Sequence, residues 1–100
     1  MEFINREHLI SEMTQMLQEL MEEYDLEEIG VYEEEGEGNQ CYFGFTVRKD
    51  GHVYMINNPF IKNSKGEVAP ASHEWTVQSE TGENKGYTSL DEVFNRIESW

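Results

Sequence analysis

Leu9, Ile10, Met13, Met16, Leu17, Leu20, Met21 and Tyr24 recur at intervals of three and four, the spacing of one apolar stripe on a helix. Asn5 can cap that helix, and Ile4 before the cap with Leu9 in the first turns makes a hydrophobic staple. A helix is therefore predicted over about 5–24. After Leu26 the period shortens to two, with Ile29 and Val31 alternating with Gly30 and Tyr32. The run "EEEGEGN" that follows reads as the solvated tip of a hairpin, its glycines permitting the turn. Cys41, Phe43, Phe45 and Val47 then occupy one face of a strand, and Tyr42, Gly44, Thr46 and Arg48 the other. Asp50-Gly51 is the favoured pair for a type I′ turn. That turn aligns Lys49 with His52, Val47 with Tyr54 and Phe45 with Ile56. Cys41, Phe43, Phe45, Val47, Tyr54 and Ile56 then share the core-facing side.

Further along, "PFIK" and "EVAP" flank a turn at "NSKG", and Pro59 and Pro70 mark strand ends or edges. The segment "SHEWTVQSE" alternates again, with His73, Trp75, Val77 and Ser79 on one face, and "TGENKG" reads as a loop. "SLDE" is a capping box in which Ser89 caps and Glu92 reaches back. Leu90, Val93, Phe94 and Ile97 continue as a helix stripe, with Trp100 closing the same side. No repeat and no linker interrupts the pattern. The expectation is one α+β domain over 1–100, an antiparallel sheet of three to five strands with an N-terminal and a C-terminal helix packed on one face. The face bearing Tyr42, Thr46, Arg48, Val53 and Met55 would then lie opposite the helices. Because it mixes apolar with polar residues, it is expected to be covered, either by the loop 57–72 or by an interface centred on Tyr42, Val53 and Met55.

Composition changes this picture in two ways. Apolar residues are 37% of the chain, but aromatics reach 12%, and aromatics bury large areas each, so a core is feasible. There are 21 acids against 7 bases, a net charge of −14. Such a chain is repelled by nucleic-acid phosphate and anionic membrane, so the expected partner is a protein of basic character or a second copy of the chain. Acidic patches are expected from Glu19, Glu22 and Glu23, at the unfavourable C-terminal end of the first helix dipole, and from Glu33, Glu34, Glu35 and Glu37. Averaged repulsion among so many carboxylates would raise their folded pKa values, so that stability rises on mild acidification.

Candidate chemistry is sparse. Cys41 is the chain's one cysteine, so no internal disulfide forms, and its place among core-facing aromatics marks a buried thiol of raised pKa. His8, His52 and His73 have no second His or Cys at metal spacing. "EEEGEGN" lacks the alternating ligands and final bidentate Glu of a calcium loop, and "GEGNQCYFG" lacks the Lys-Ser/Thr of a phosphate loop. No catalytic residue, cofactor or metal is therefore expected. Tyr54, His73 and Trp75 are the candidate lining of a small-molecule pocket. No secretory leader and no membrane span is readable, and cytoplasmic residence is the expectation.

The tail "SHEWTVQSE" with "KGYTSLDEVFNRIESW" resembles the C-terminal third of small acidic uncharacterised proteins of Bacillus-type bacteria, a resemblance that implies no activity. An acidic chain with an N-terminal amphipathic helix and a following hairpin is also similar to type III secretion chaperones. Those carry a further helix between strands, for which residues 52–88 offer no periodic stretch. The functional expectation is a non-enzymatic protein-binding or regulatory domain. Its alternatives are an acidic mimic that neutralises a basic protein, and a small-molecule binder or small enzyme with its pocket near His73 and Trp75.

Overall fold

A computed structural model of the protein describes residues 2–98. Helix α1 (Arg6–Glu23) is followed by strands β1 (Glu28–Glu35), β2 (Gln40–Lys49), β3 (His52–Lys62), β4 (Val68–Pro70), β5 (Trp75–Ser79) and β6 (Gly82–Tyr87), and then by helix α2 (Leu90–Glu98). Trp100, expected to close the α2 stripe, lies outside the described residues.

Helix α1 starts as its sequence dictates: the Asn5 side chain accepts from the N–H groups of Glu7 and His8, two of the donors a helix start leaves open. It stops where Asp25 turns into the left-handed region at φ 53°. There the N–H of Leu26 closes onto the Met21 carbonyl at 3.0 Å, and Leu26 is buried. This is the six-residue hydrogen bond of a Schellman end. No base lies in the last turn of α1. Lys49 supplies one from β2, its Nζ donating to the Tyr24 carbonyl at 2.6 Å and the Asp25 carbonyl at 3.4 Å. The positive end for the α1 dipole thus arrives from a distant strand.

All strand pairs are antiparallel, in the order β1-β2-β3-β5-β6, with β4 paired to β3 as a sixth strand. The β2–β3 hairpin has the register read from the sequence, Lys49 opposite His52, Val47 opposite Tyr54 and Phe45 opposite Ile56. Its turn residues Asp50 and Gly51 both have positive φ, 53° and 80°, as a type I′ turn requires. Strand β3 runs straight through Pro59. Pairing alternates along an antiparallel ladder, so starting from the closing pair Lys49–His52, Pro59 falls in a non-hydrogen-bonded pair with Tyr42. Its missing N–H therefore points to the other side, where the pairing of β3 with β5 ends at Asn57 and that with β4 begins at Phe60.

Three segments differ from the sequence reading. The acids Glu33, Glu34 and Glu35 are not a hairpin tip; they continue β1, opposite Phe43, Tyr42 and Cys41. As β1 is an edge strand, its side chains can be charged on both faces without burial, and such charges oppose pairing with another chain. "TGENKG" is not a loop, since Gly82–Tyr87 is β6, held to β5 by backbone bonds with a bulge opposite Thr76. A strand exposed along its length shows no apolar alternation to read. Residues 57–72 do not fold over the sheet. They complete β3 and add β4, which also bridges Ile4 through two backbone bonds of 2.8 Å.

One buried cluster gathers Met13 and Leu20 of α1, Val93, Phe94 and Ile97 of α2, and Cys41, Phe43, Phe45, Val47 and Ile56 of the sheet. Phe43 meets Phe60 edge-on at 5.1 Å, and Tyr24 stacks on Phe94 at 4.4 Å. At α2 Ser89 is the cap, as the sequence predicts, and only the reach-back of Glu92 differs, going to Thr88 in place of the Ser89 N–H. Ser89 Oγ accepts from the Glu92 N–H at 3.2 Å, while the Glu92 carboxylate accepts from the N–H and hydroxyl of Thr88.

Candidate functional site

The pleat turns alternate residues of each strand to opposite sides. On the side away from Phe43 the paired positions bring Tyr32 of β1, Gly44 of β2 and Asn57 of β3 into one row. Gly44 packs so tightly that a Cβ there would lie 1.7 Å from the Ile56 carbonyl oxygen. Tyr32 and Asn57 flank it. Asn57 is only 6% exposed. Burial raises the pKa of the Tyr32 hydroxyl, and the Asn57 amide beside it pulls the other way. That hydroxyl is buried without completing a hydrogen bond of ordinary geometry.

Asn57 also lines a cleft of about 260 Å³ with Glu34, Tyr42, Thr76, Gln78, Glu83 and Lys85. The cleft draws on five strands. Gln78 donates to Glu83 at 2.9 Å, and Lys85 pairs with Glu83 at 3.3 Å. A shallow depression adjoins it, lined by Val53, Met55, Ser79, Glu80 and Gly82 and sharing Gln78 and Glu83. Of the residues expected on this side, Val53 is 45% exposed and Thr46 is exposed, while Tyr42, Arg48 and Met55 are half-buried. Arg48 pairs with Glu28.

The candidate pocket residues are not brought together. His73 is exposed in the segment before β5. Tyr54 lines a small cavity with His52, Val53, Ser79, Glu80 and Thr81. Trp75 lines a different one of about 160 Å³, apolar, with Leu9, Met13, Met16, Phe60 and Leu90. Alternation placed Tyr54 and Trp75 on one face, but their rows on it differ. Cys41 is 1% exposed and burial pushes its thiol up, which keeps it protonated at neutral pH. Among the described residues no three His, Cys, Asp or Glu side chains converge as metal ligands, and no helix is long and apolar enough to cross a membrane.

A family model, Family of unknown function (DUF5634), matches residues 3–97. The chain belongs to that family. No curated protein matches it. The DUF5634 match spans nearly the whole chain, so the likeness expected in the C-terminal third extends over both helices and every strand. Local motifs such as the α2 cap stand out to the eye, whereas a family pattern is spread along the chain.

The acids of this DUF5634 chain divide by partner. Glu33 pairs with Arg6, and Glu35 pairs with Lys62 at 2.9 Å. Glu19, Glu22, Glu23, Glu34 and Glu37 form no ion pair among the described residues. Strand alternation is the cause on β1: Glu33 and Glu35 share the side of Phe43 and Cys41, and Glu34 points to the opposite side with Tyr42.

The carboxylates with displaced pKa values all move downward. The Arg6 guanidinium lowers Glu33 against the effect of burial, Gln78 and then Lys85 lower Glu83, and the Thr88 N–H and hydroxyl lower Glu92. This is opposite in sign to the averaged repulsion expected from net charge. A donor in hydrogen-bond contact outweighs several distant charges that salt and water screen. For a depressed carboxylate, the folded state binds protons less readily than the unfolded one. Its stabilisation is present above the unfolded value, about 4.3 for Glu, and is lost as pH falls through the folded value. The melting temperature should accordingly drop as pH is lowered from about 5 to about 3, and Glu33→Gln should flatten that slope. A melting temperature that rises over this interval would show that general repulsion governs instead.

Proposed function

We propose that the protein is a binding domain that docks a basic protein partner on the side of its sheet away from Phe43. In this reading residues 1–100 form one domain, both helices pack on the Phe43 face, and the opposite face is left to the partner. The helix arrangement is supported by the shared buried cluster, in which α1 and α2 residues meet Phe43, Phe45 and Val47. The observation that carries the docking is Val53. It is 45% exposed and lies with Met55 in a depression that adjoins the polar cleft. A solvated sheet face is ordinarily polar, and apolar surface rimmed by polar groups marks interaction sites.

The basic character of the partner follows from charge. The net charge is −14. Arg6, Arg48, Lys62 and Lys85 are engaged by Glu33, Glu28, Glu35 and Glu83, and Lys49 by helix carbonyls. The acids left over, Glu19, Glu22, Glu23 and Glu37 among them, give a field that attracts a basic surface and repels a second copy of the chain.

Capture from a bacterial lysate by wild type, Val53→Glu and Lys65→Glu tests this. Lys65→Glu changes charge in the turn at Asn63–Gly66, away from the face. A basic protein retained by wild type and Lys65→Glu, released by salt and lost with Val53→Glu, is the expected result. Capture that ignores Val53→Glu makes the face ordinary surface. A wild-type dimer that Val53→Glu dissolves makes the occupant a second copy.

A further inference from the structure

We propose that the cleft at Asn57 is a receptor for a guanidinium group, presented by an arginine side chain of the basic partner. This rests on the docking reading above and names what the docked face holds. Size comes first. At about 260 Å³ the cleft lies below the roughly 300–1,000 Å³ of sites for drug-sized ligands, and it suits one long side chain.

Charge comes second. The cleft has two carboxylates and one ammonium, and Lys85 is held by Glu83 at 3.3 Å. Glu34 has no ion pair among the described residues, so the cleft is left anionic. An anionic ligand is disfavoured by Glu34, and an apolar one would cover the polar groups of Thr76 and Gln78 without offering them hydrogen bonds.

The arrangement of acceptors separates guanidinium from ammonium. Gln78 uses its NH₂ on Glu83 and keeps its carbonyl oxygen as an acceptor. Thr76 adds a hydroxyl. Asn57 is 6% exposed, a buried amide lining the cleft. Tyr42 borders the cleft and brings an aromatic ring to it, a partner suited to a flat cation. A guanidinium has five donors in a plane, no acceptor and weak hydration, and it stacks on rings. An ammonium is compact, strongly hydrated and has three donors.

The experiment is a nuclear magnetic resonance titration of the intact chain, following the side-chain amides of Asn57 and Gln78 and the ring of Tyr42. The probes are Nα-acetyl-arginine methylamide and its lysine and citrulline counterparts. Saturable shifts confined to these signals are expected with arginine, about tenfold weaker binding with lysine, and none with neutral citrulline. Glu34→Gln, an exposed change on an edge strand, should weaken the arginine response about tenfold with the fold unchanged. No response, an equal response to citrulline, or an unaltered response in Glu34→Gln overturns the proposal. If that happens while Val53→Glu still abolishes partner capture, the docking face stands without the receptor. An arginine response beside capture that ignores Val53→Glu leaves the receptor and removes the docking face.

Discussion

Gly44→Ala is expected to destabilise the fold severely, although it adds a single methyl group. A Cβ at Gly44 would sit 1.7 Å from the Ile56 carbonyl oxygen and 2.7 Å from the Asn57 Cα. Both are backbone atoms of β3, so no side chain can rotate away to make room. The strands would have to part at the middle of the sheet or change register. A shift of one residue would turn Phe43, Phe45 and Val47 out of the core. The cost should exceed about 3 kcal/mol, a large part of the roughly 5–15 kcal/mol that holds a domain folded. At about 4–8 °C per kcal/mol for a chain of this length, the melting temperature should fall by more than about 12 °C. Gly30→Ala is the control. It lies on the neighbouring strand β1, and a Cβ there meets nothing within 4 Å, so the change should stay within about 0.5 kcal/mol. Equal melting of the two variants would mean that β2 and β3 do not approach as closely as described. Because Gly44 pairs with Asn57, a chain that survived the change should also have Asn57 displaced in the cleft.

Phe94→Ala should cost about 3–5 kcal/mol, the usual loss for truncating a buried phenylalanine. Phe94 is 1% exposed and stacks on Tyr24 with ring centroids 4.4 Å apart and planes within 16°. Tyr24 is the C-cap residue of α1, and its hydroxyl donates to Asp91, so this stack joins the two helices. The truncation leaves a cavity bordered by a ring that has lost its partner. Tyr24→Phe keeps the stack and removes only the hydrogen bond, and should cost about 1 kcal/mol. Urea denaturation of both variants gives the comparison. Similar midpoints would place the link in the hydroxyl and not in the rings. A Phe94→Ala chain that keeps wild-type stability would show that α2 contributes little to the core.

Where one local pattern dominated, the fold was legible in the chain. The α1 stripe with its Asn5 cap, the β2 alternation and the Asp50-Gly51 turn each depend on residues a few positions apart, and each has the register and face read from the sequence. The acidic run of β1 was misread because glutamates have low strand preference, whereas its place is decided by pairing with Cys41, Tyr42 and Phe43. Strand β6 has no alternation to read, being exposed from Gly82 to Gly86. The pair Glu33–Arg6, one of the contacts that lower a carboxylate pKa, joins residues 27 positions apart. Net charge carried no hint of it.

Little of the candidate site was legible. Tyr42, Val53 and Met55 were placed on one face by alternation, but Asn57, Thr76, Gln78 and Glu83 carry no motif. They meet only because β5 pairs with β3 at Met55–Asn57 and β6 pairs with β5. The sequence by itself determined the helix ends, the central hairpin, its core face and the excess of negative charge. These follow from periodicity, capping, turn chemistry and composition, which act between near neighbours in the chain. Tertiary structure alone decided which acids meet a base, how Lys49 caps α1, and that the buried Asn57 amide and Glu34 share one cleft. Those outcomes depend on strand order, and strand order is settled by which long-range pairings bury the most apolar surface while leaving the fewest backbone groups without a partner.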